Sequence, residues 1–445
     1  MKKNQSFRRQ AVVVIHGIGN QQPMDTLRSF VSRLLQPNDK MYSSPNRLTD
    51  NLELRKLSIG HKNTDFYEFY WANLVKDVPI TDILVWMLKL IYSRKLPHRL
   101  KKVVWGLRIS LPLLTFGVYL LGSRIALIFK DYDMFKVTVY GFLGLWLLRS
   151  SSNLLFKLVE NTFIQFIGDA VRYTVPTPEN IETRSKIRQQ GLELLRKLHE
   201  DTEEDNPNQY TYDRIVLVGH SLGGIIAYDI LSFLWSANNK SFSKTADTNL
   251  LKQDALGAIS DYVNREDLDI AEYQILQNNL FEEQRSLGNF WRISDFITLG
   301  TPLAHGAFLL AKDDDDFRMK IEQREVAITP PQINPEEKQF FYPKCFDVEE
   351  ETTNEMGIKM TETVQRTVKL LHSAAQFGVV RWSNFYFTVD YIGGSMRDWF
   401  GKGMIDQEIV PVGKTNQNIP VKPHTAYWAD EQPEPMATIR KILEL

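Results

Sequence analysis

The residues Gly219-His220-Ser221-Leu222-Gly223-Gly224 follow an unbroken β-branched run, Arg214 to Val218, and open an apolar stretch that continues to Leu234. A serine hydroxyl is a weak nucleophile, and its setting makes this one a candidate. Small residues at Gly219 and Gly223 allow a sharp turn between a buried strand and a helix, which lifts the Ser221 hydroxyl above the sheet edge at the positive end of the helix. A hydroxyl held there can attack an acyl carbonyl. The plain alternative is a glycine-rich turn whose serine merely caps the helix; the strand before it and the apolar helix after it favour the chemical reading.

Acyl transfer also needs donors for the developing oxyanion, because charge forms on the carbonyl oxygen in the transition state. His16-Gly17-Ile18-Gly19 stands directly after a second buried run, Ala11 to Ile15, and glycine lets the backbone turn its amides inward. The N–H groups of Ile18 and Leu222 are the expected pair, with His16, Gly17, Gly219, His220 and Gly223 shaping the two turns. Without chemistry, the first is an ordinary turn from strand to helix.

A base must lie within hydrogen-bond reach of the serine, and an acid must hold the base's tautomer. Three histidines follow Ser221: His305, His372 and His424. His424, in Lys422-Pro423-His424-Thr425 just before the last helix-like segment, is the preferred base. His305, after the turn Gly300-Thr301-Pro302, is the runner-up, and His372, within an expected helix Met360 to Gln376, reads as structural. For the acid, the aromatic and β-branched run Trp382 to Val389 predicts a strand with Asp390 at its carboxyl end, where sites in open α/β sheets collect. Asp406 is second choice and Asp398 is expected to be exposed; Asp390 could instead be a turn residue making an Asx bond.

These residues need a scaffold. The buried runs at 11–15, 214–218 and 296–299, each ending in a glycine turn, predict strands of a mostly parallel sheet. Helical spacing follows at Asp25 to Leu35, with Asp25 as expected N-cap, and at Ile181 to Glu200, whose exit, Asp201 to Asn208, reads as a solvated loop. Strand, turn and helix in repetition imply an α/β fold with a doubly wound sheet. The polar stretch Ser236 to Gly288 predicts a helical cap-like insertion, and Lys312 to Gly357 an irregular excursion whose Asp313 to Asp316 run is a solvated loop without a ligand role.

With these motifs assembled, the chain resembles the α/β-hydrolase superfamily, and within it serine lipases and esterases that share a His-Gly oxyanion turn and a Gly-His-Ser-Leu-Gly-Gly elbow. The matching pieces are 12–19, 215–228, 297–302, 382–394 and 424–428, about half of the chain. The resemblance implies a triad of Ser221, Asp390 and His424, with no metal and no cofactor. It implies less about substrate, because thioesterases, peptidases and acyltransferases use the same constellation.

One segment departs from that compact pattern. Residues 109–129 hold a single charge, Arg124, across 21 positions, enough at about 1.5 Å per residue to cross a hydrocarbon core of about 30 Å. A shorter return segment, Met134 to Leu148, follows the polar turn Lys130 to Asp133. Basic residues before and after (Arg94, Lys95, Arg99, Lys101, Lys102 and Arg149) suit a membrane hairpin whose ends stay in the cytosol. A buried hairpin of a soluble protein and an interfacial helix are the competing readings. The expected organisation is therefore a first core part at 1–73, an apolar insertion at 74–172 that associates with membrane through 103–150, core with the elbow at 173–235, the cap at 236–288 and the rest of the core at 289–445.

Composition bounds the partners. With 53 Lys+Arg against 54 Asp+Glu, the formal charge of −1 lacks the basic excess that nucleic acid requires. The single cysteine, Cys345, excludes an intrachain disulfide framework and a multi-cysteine zinc site. The run Ala11 to Ile15 is too short for a signal-peptide core, so the catalytic part is expected in the cytoplasm. The expectation is a serine ester hydrolase acting on lipid acyl esters at a membrane. Alternatives are a thioesterase or protein-lipid deacylase with the same triad, and a silent membrane-anchored scaffold.

Overall fold

Apolar runs bury on both faces of a sheet only where neighbouring strands and covering helices leave them no water, and β1 (Gln10–Ile15) is such a run, buried throughout. The computed structural model describes residues 9–17, 22–60, 62–74, 105, 108–109, 112–121, 141–147, 149–150, 173–174, 178–203, 205–245, 252–334, 336, 338–353, 359–390, 392–412, 423–429 and 433–445. Two units are distinguished: Met1–Leu74, Glu182–Gln417 and Lys422–Leu445 form one, Val75–Ile181 with Asn418–Val421 the other.

In the first unit β1 is followed by α1 (Asp25–Leu34), β2 (Met41–Pro45), β3 (Arg55–Ile59) and β4 (Thr64–Phe69). Next come α2 (Pro178–Glu200), β5 (Thr202–Glu203), β6 (Asn206–Tyr210), β7 (Arg214–His220) and α3 (Leu222–Thr245). After α4 (Asp254–Val263), α5 (Ile270–Ser286) and β8 (Ile293–Leu299) lie α6 (Asp314–Glu322), β9 (Phe341–Thr353) and β10 (Lys359–Leu371). The chain closes with β11 (Arg381–Phe387), β12 (Ile405–Ile409) and α7 (Pro433–Ile442).

Eight strands form the central sheet in the order β12-β11-β8-β7-β1-β4-β3-β2. The six from β12 to β4 run parallel, and β3 and β2 add an antiparallel edge. This is an α/β fold with a mostly parallel sheet and helices on both faces. On one face Val12, Val14, Val216 and Ile297 pack under Phe30 of α1 and Ile439 of α7. On the other, α3 covers β7, and Trp382 stacks on Phe377 and packs beside Phe296 and Tyr228. From β1 the chain steps to β4 on one side and later places β7, β8, β11 and β12 on the other, so the order reverses beside β1. Crevices at such reversals, at the carboxyl ends of the strands, are where ligands collect in open sheets.

Several expectations are corrected. Met360 to Gln376 is not a helix: residues 359–371 form β10, paired over its whole length with β9 in a two-stranded ribbon. Val368 and Leu370 pack there on Phe242 of α3. Lys312 to Gly357 is not an irregular excursion, since it holds α6 and β9, and Asp313 is no loop residue but the N-cap of α6, its carboxylate accepting the N–H groups of Asp315 and Asp316. Asp25 lies in the first turn of α1, and Met24 precedes it as cap. The exit from α2 forms the small ribbon β5–β6. The polar stretch after 236 is helical as α4 and α5, with α3 extending into it.

In the second unit, residues 112–121 and 141–147 are helical. Gly144 lies against the Leu121 side chain and the carbonyl of Gly117, so these two stretches approach each other where Gly144 has no side chain. The turn between them and most of the expected return segment lie outside the described residues. Among the described residues, no helix is long and apolar enough to cross a membrane.

Candidate active site

Four adjacent strands, β11, β8, β7 and β1, end level with one another, because Ile15 is in register with Gly219, Gly219 with Thr298, and Leu299 with Phe385. Whatever follows each strand therefore meets at one rim. After β7 comes Ser221, and its φ of 56° is a left-handed conformation that a non-glycine residue adopts at a cost. The turn is held by Ser221 N–H to the Leu299 carbonyl at 3.0 Å and by Gly224 N–H to the Ser221 carbonyl, also 3.0 Å. Leu222 then begins α3, so its N–H belongs to the first turn, where amides lack an intrahelical partner. Gly223 lies against the carbonyls of Ile15 and His16 at the end of β1.

After β1 come His16 and Gly17, both buried. A Cβ on Gly17 would stand 2.7 Å from the Ser221 Cβ and 3.3 Å from its Oγ, so only glycine lets this turn lie against the hydroxyl. His16 is locked between three contacts: its Nδ1–H donates to the Gly17 carbonyl at 2.7 Å, its Nε2 accepts Trp71 N–H at 3.3 Å, and its ring stacks on the Trp71 indole, 5.1 Å between centroids. Burial lowers its pKa to about 4, against the raising effect of the Gly17 bond, so the ring is neutral with one defined proton. Ile18 and Gly19 lie outside the described residues.

After β11 comes Asp390, and from far along the chain the turn Pro423–Thr425 brings His424. His424 Nε2 stands 2.8 Å from Ser221 Oγ, and its Nδ1 3.0 Å from Asp390 Oδ2. An ionised carboxylate only accepts, so Nδ1 carries the proton and Nε2 is free to receive the one on the hydroxyl. Burial alone would raise the Asp390 carboxyl, but the charge and hydrogen bond of His424, the Tyr427 hydroxyl and the Ile392 N–H outweigh it and bring it down to about 2. The line from Ser221 through His424 to Asp390 is thus poised to move a proton off the hydroxyl, with all three residues buried.

The other residues singled out by sequence take other places. His220 donates from Nε2 to the His424 carbonyl. His305 ends the turn Pro302–His305, where it is buried, and the imidazole that meets the Ser221 hydroxyl is that of His424. His372 follows β10 and bonds the Gln332 carbonyl at 2.9 Å. Asp406 is engaged elsewhere, its carboxylate accepting from Asn384 Nδ2, Ser395 Oγ and Met396 N–H. Asp398 is exposed in a short helical turn.

Sequence reading missed Tyr427, Trp71 and Gly300. Gly300 follows β8 with φ of 55° and sits against Asp390 Oδ2 and the Tyr427 ring. For Tyr427 a signal existed: side chains three residues apart on a tight turn share a side, and Tyr427 stands three after His424. Trp71 follows β4, a strand whose buried Asp65 and Glu68 conceal it from any apolar pattern. Comparison of the chain with protein-family models, with curated proteins and with solved structures gave no match.

Proposed function

We propose that this chain is a serine ester hydrolase built on an α/β-hydrolase scaffold, cleaving acyl esters of lipids at a membrane surface. The observation that carries the reading is the unbroken hydrogen-bonded line from Ser221 Oγ through His424 to Asp390, set on a strained turn at the strand ends. Ser221 Oγ attacks the ester carbonyl carbon while its proton passes to His424 Nε2, and Asp390 stabilises the resulting imidazolium. The oxyanion is held by the amide of Leu222, in the first turn of α3, with Ile18, outside the described residues, as the second donor expected from sequence. Collapse expels the alcohol, which takes the proton from His424, and water, deprotonated by the same nitrogen, releases the acid and restores the serine.

A lipid substrate is supported by the second unit. In residues 112–121 and 141–147, Phe116, Tyr119, Phe142, Leu145 and Trp146 are more than half exposed. Exposed apolar surface of this kind in close-packed helices suits lipid contact and fits poorly with water. The proposal is accordingly a membrane-associated enzyme whose catalytic unit lies in the cytoplasm.

The test is labelling of the purified full chain by a fluorophosphonate probe, together with hydrolysis of long-chain acyl esters. Ser221→Ala is expected to abolish labelling and lower hydrolysis roughly 10⁴-fold or more. No labelling of the wild-type chain, or equal hydrolysis by the variant, would remove the reading. A panel of thioesters and acylated peptides separates ester cleavage from the related deacylations.

A further inference from the structure

Tyr427 is fully buried, with its ring stacked on Phe387 at 4.3 Å between centroids and 14° between planes. Phe387 N–H donates to the phenolic oxygen at 3.1 Å. The phenol's single proton then goes to Asp390 Oδ2, 2.7 Å away. That oxygen is the one which accepts His424 Nδ1–H, while Oδ1 accepts Ile392 N–H at 2.8 Å. Stacking and burial would be served equally by phenylalanine; the hydroxyl adds a second donor to an acceptor the imidazole already uses.

We propose that Tyr427 is a positioning residue of the reaction, donating to the carboxylate oxygen that orients His424 and so fixing the carboxylate's rotation and moderating its pull on the imidazolium. This rests on the ester-hydrolase reading of the same site. Each donor draws negative charge from the carboxylate, and a carboxylate relieved of one donor holds a neighbouring cation more tightly. Without the hydroxyl, the imidazolium formed during attack is overstabilised, yields its proton slowly to the leaving alcohol, and the base becomes neutral only at higher pH. The titratable groups facing the cluster are Ser221, His220 stacked on His424, and His16 beyond it. Burial keeps both histidines neutral, lowering His220 to about 3 and His16 to about 4, so neither supplies a competing charge near neutrality. Phe387, Trp428, Gly300 and Gly393 close the remaining sides without charge.

The experiment uses the full chain with Tyr427→Phe and, separately, with 3-fluorotyrosine at 427, which keeps the shape and donates more strongly. For Tyr427→Phe, the acid limb of fluorophosphonate labelling against pH is expected to move up by about half a unit, and fluorotyrosine is expected to move it down. The low-field proton resonance of the Asp390–His424 hydrogen bond shifts in both variants, and in an Asp390→Asn background Tyr427→Phe has no further effect. An unmoved acid limb and an unmoved resonance in the fluorotyrosine protein would overturn the proposal, even if Tyr427→Phe folds poorly. Should the wild-type chain not label at all, the hydrolase reading falls, while the resonance still decides whether the phenol acts on the Asp390–His424 pair.

Discussion

His220 Nε2 donates to the backbone carbonyl of His424 at 2.9 Å, so the residue just before the serine holds the turn that carries the imidazole. The two rings are stacked at 28° with centroids 5.2 Å apart, and His220 and Trp428 meet edge to face at 4.7 Å. Ser221 and His424 are therefore tied by a second link besides the hydrogen bond between their side chains.

That link predicts unequal effects of two substitutions. His220→Gln, whose amide nitrogen can take the place of Nε2, is expected to keep hydrolysis within several-fold of wild type. His220→Leu removes the donor and is expected to lower kcat by roughly 10- to 100-fold with little change in KM, the size of loss that follows a misplacement of about 1 Å. Kinetics of both variants, with circular dichroism to establish folding, decide the matter; equal activity in the two would deny the carbonyl contact any part.

Glu68 predicts a dependence of stability on pH. It is buried near the end of β4, and its Oε2 accepts the N–H of Met24, the residue that caps α1, at 2.5 Å. Burial raises its carboxyl to about 7 from an ordinary 4.5, opposed by the bonds from Met24 and Leu27. A carboxyl raised on folding binds its proton more tightly in the native state, so its contribution is complete below the unfolded value and is lost as pH rises through about 7. Thermal unfolding between about pH 5 and pH 8 should show a smaller decline for Glu68→Gln than for wild type. Parallel curves for the two proteins would refute this account.

The apolar helical stretches predict lipid binding that does not depend on charge. With Phe142 75 %, Tyr119 68 % and Trp146 62 % exposed and a formal charge of −1, the proposed attachment is expected to come from burial of side chains rather than attraction to anionic headgroups. The full chain is expected to float with neutral phosphatidylcholine vesicles at low and high salt alike. Replacing Phe116, Tyr119, Phe142 and Trp146 together by serine should weaken binding roughly a hundredfold or more. Binding confined to anionic vesicles, and lost in salt, would reverse the argument.

How far the chain could be read varied with how local each cause was. β1, β7 and the second half of β8 were legible because strands buried on both faces write themselves as continuous apolar runs, β11 because aromatic and β-branched residues alternate along it, and the serine turn because glycines must flank it. β4 was not, since Asp65 and Glu68 interrupt its pattern; Asp65 is accommodated by Arg9, Lys56, Ser58 and Tyr212, partners as distant as 147 residues. For β10, Val364 and Val368, four apart, fit a helical period as well as a strand, Leu371 extends the helical one, and pairing with β9 decided between them. The order of preference among the candidate bases came from chain position and the choice of acid from a strand end; the parts played by Tyr427 and His220 depend on a tertiary turn that no local pattern specifies.

The last helix also sets a timetable. Gln10 Nε2 donates to the Leu443 carbonyl and Arg214 to that of Ile442, so α7 is clamped onto the opening residues of β1 and β7. The turn bearing His424 lies just before this helix, 203 residues after Ser221. While the polypeptide is being made, Ser221 stands without the imidazole of His424 until those 203 further residues have been added, so under the proposed mechanism the growing chain is inert. Under the proposed mechanism, reactivity begins only when the His424 turn and α7 have been threaded back onto β1 and β7, which couples the onset of chemistry to the docking of this helix.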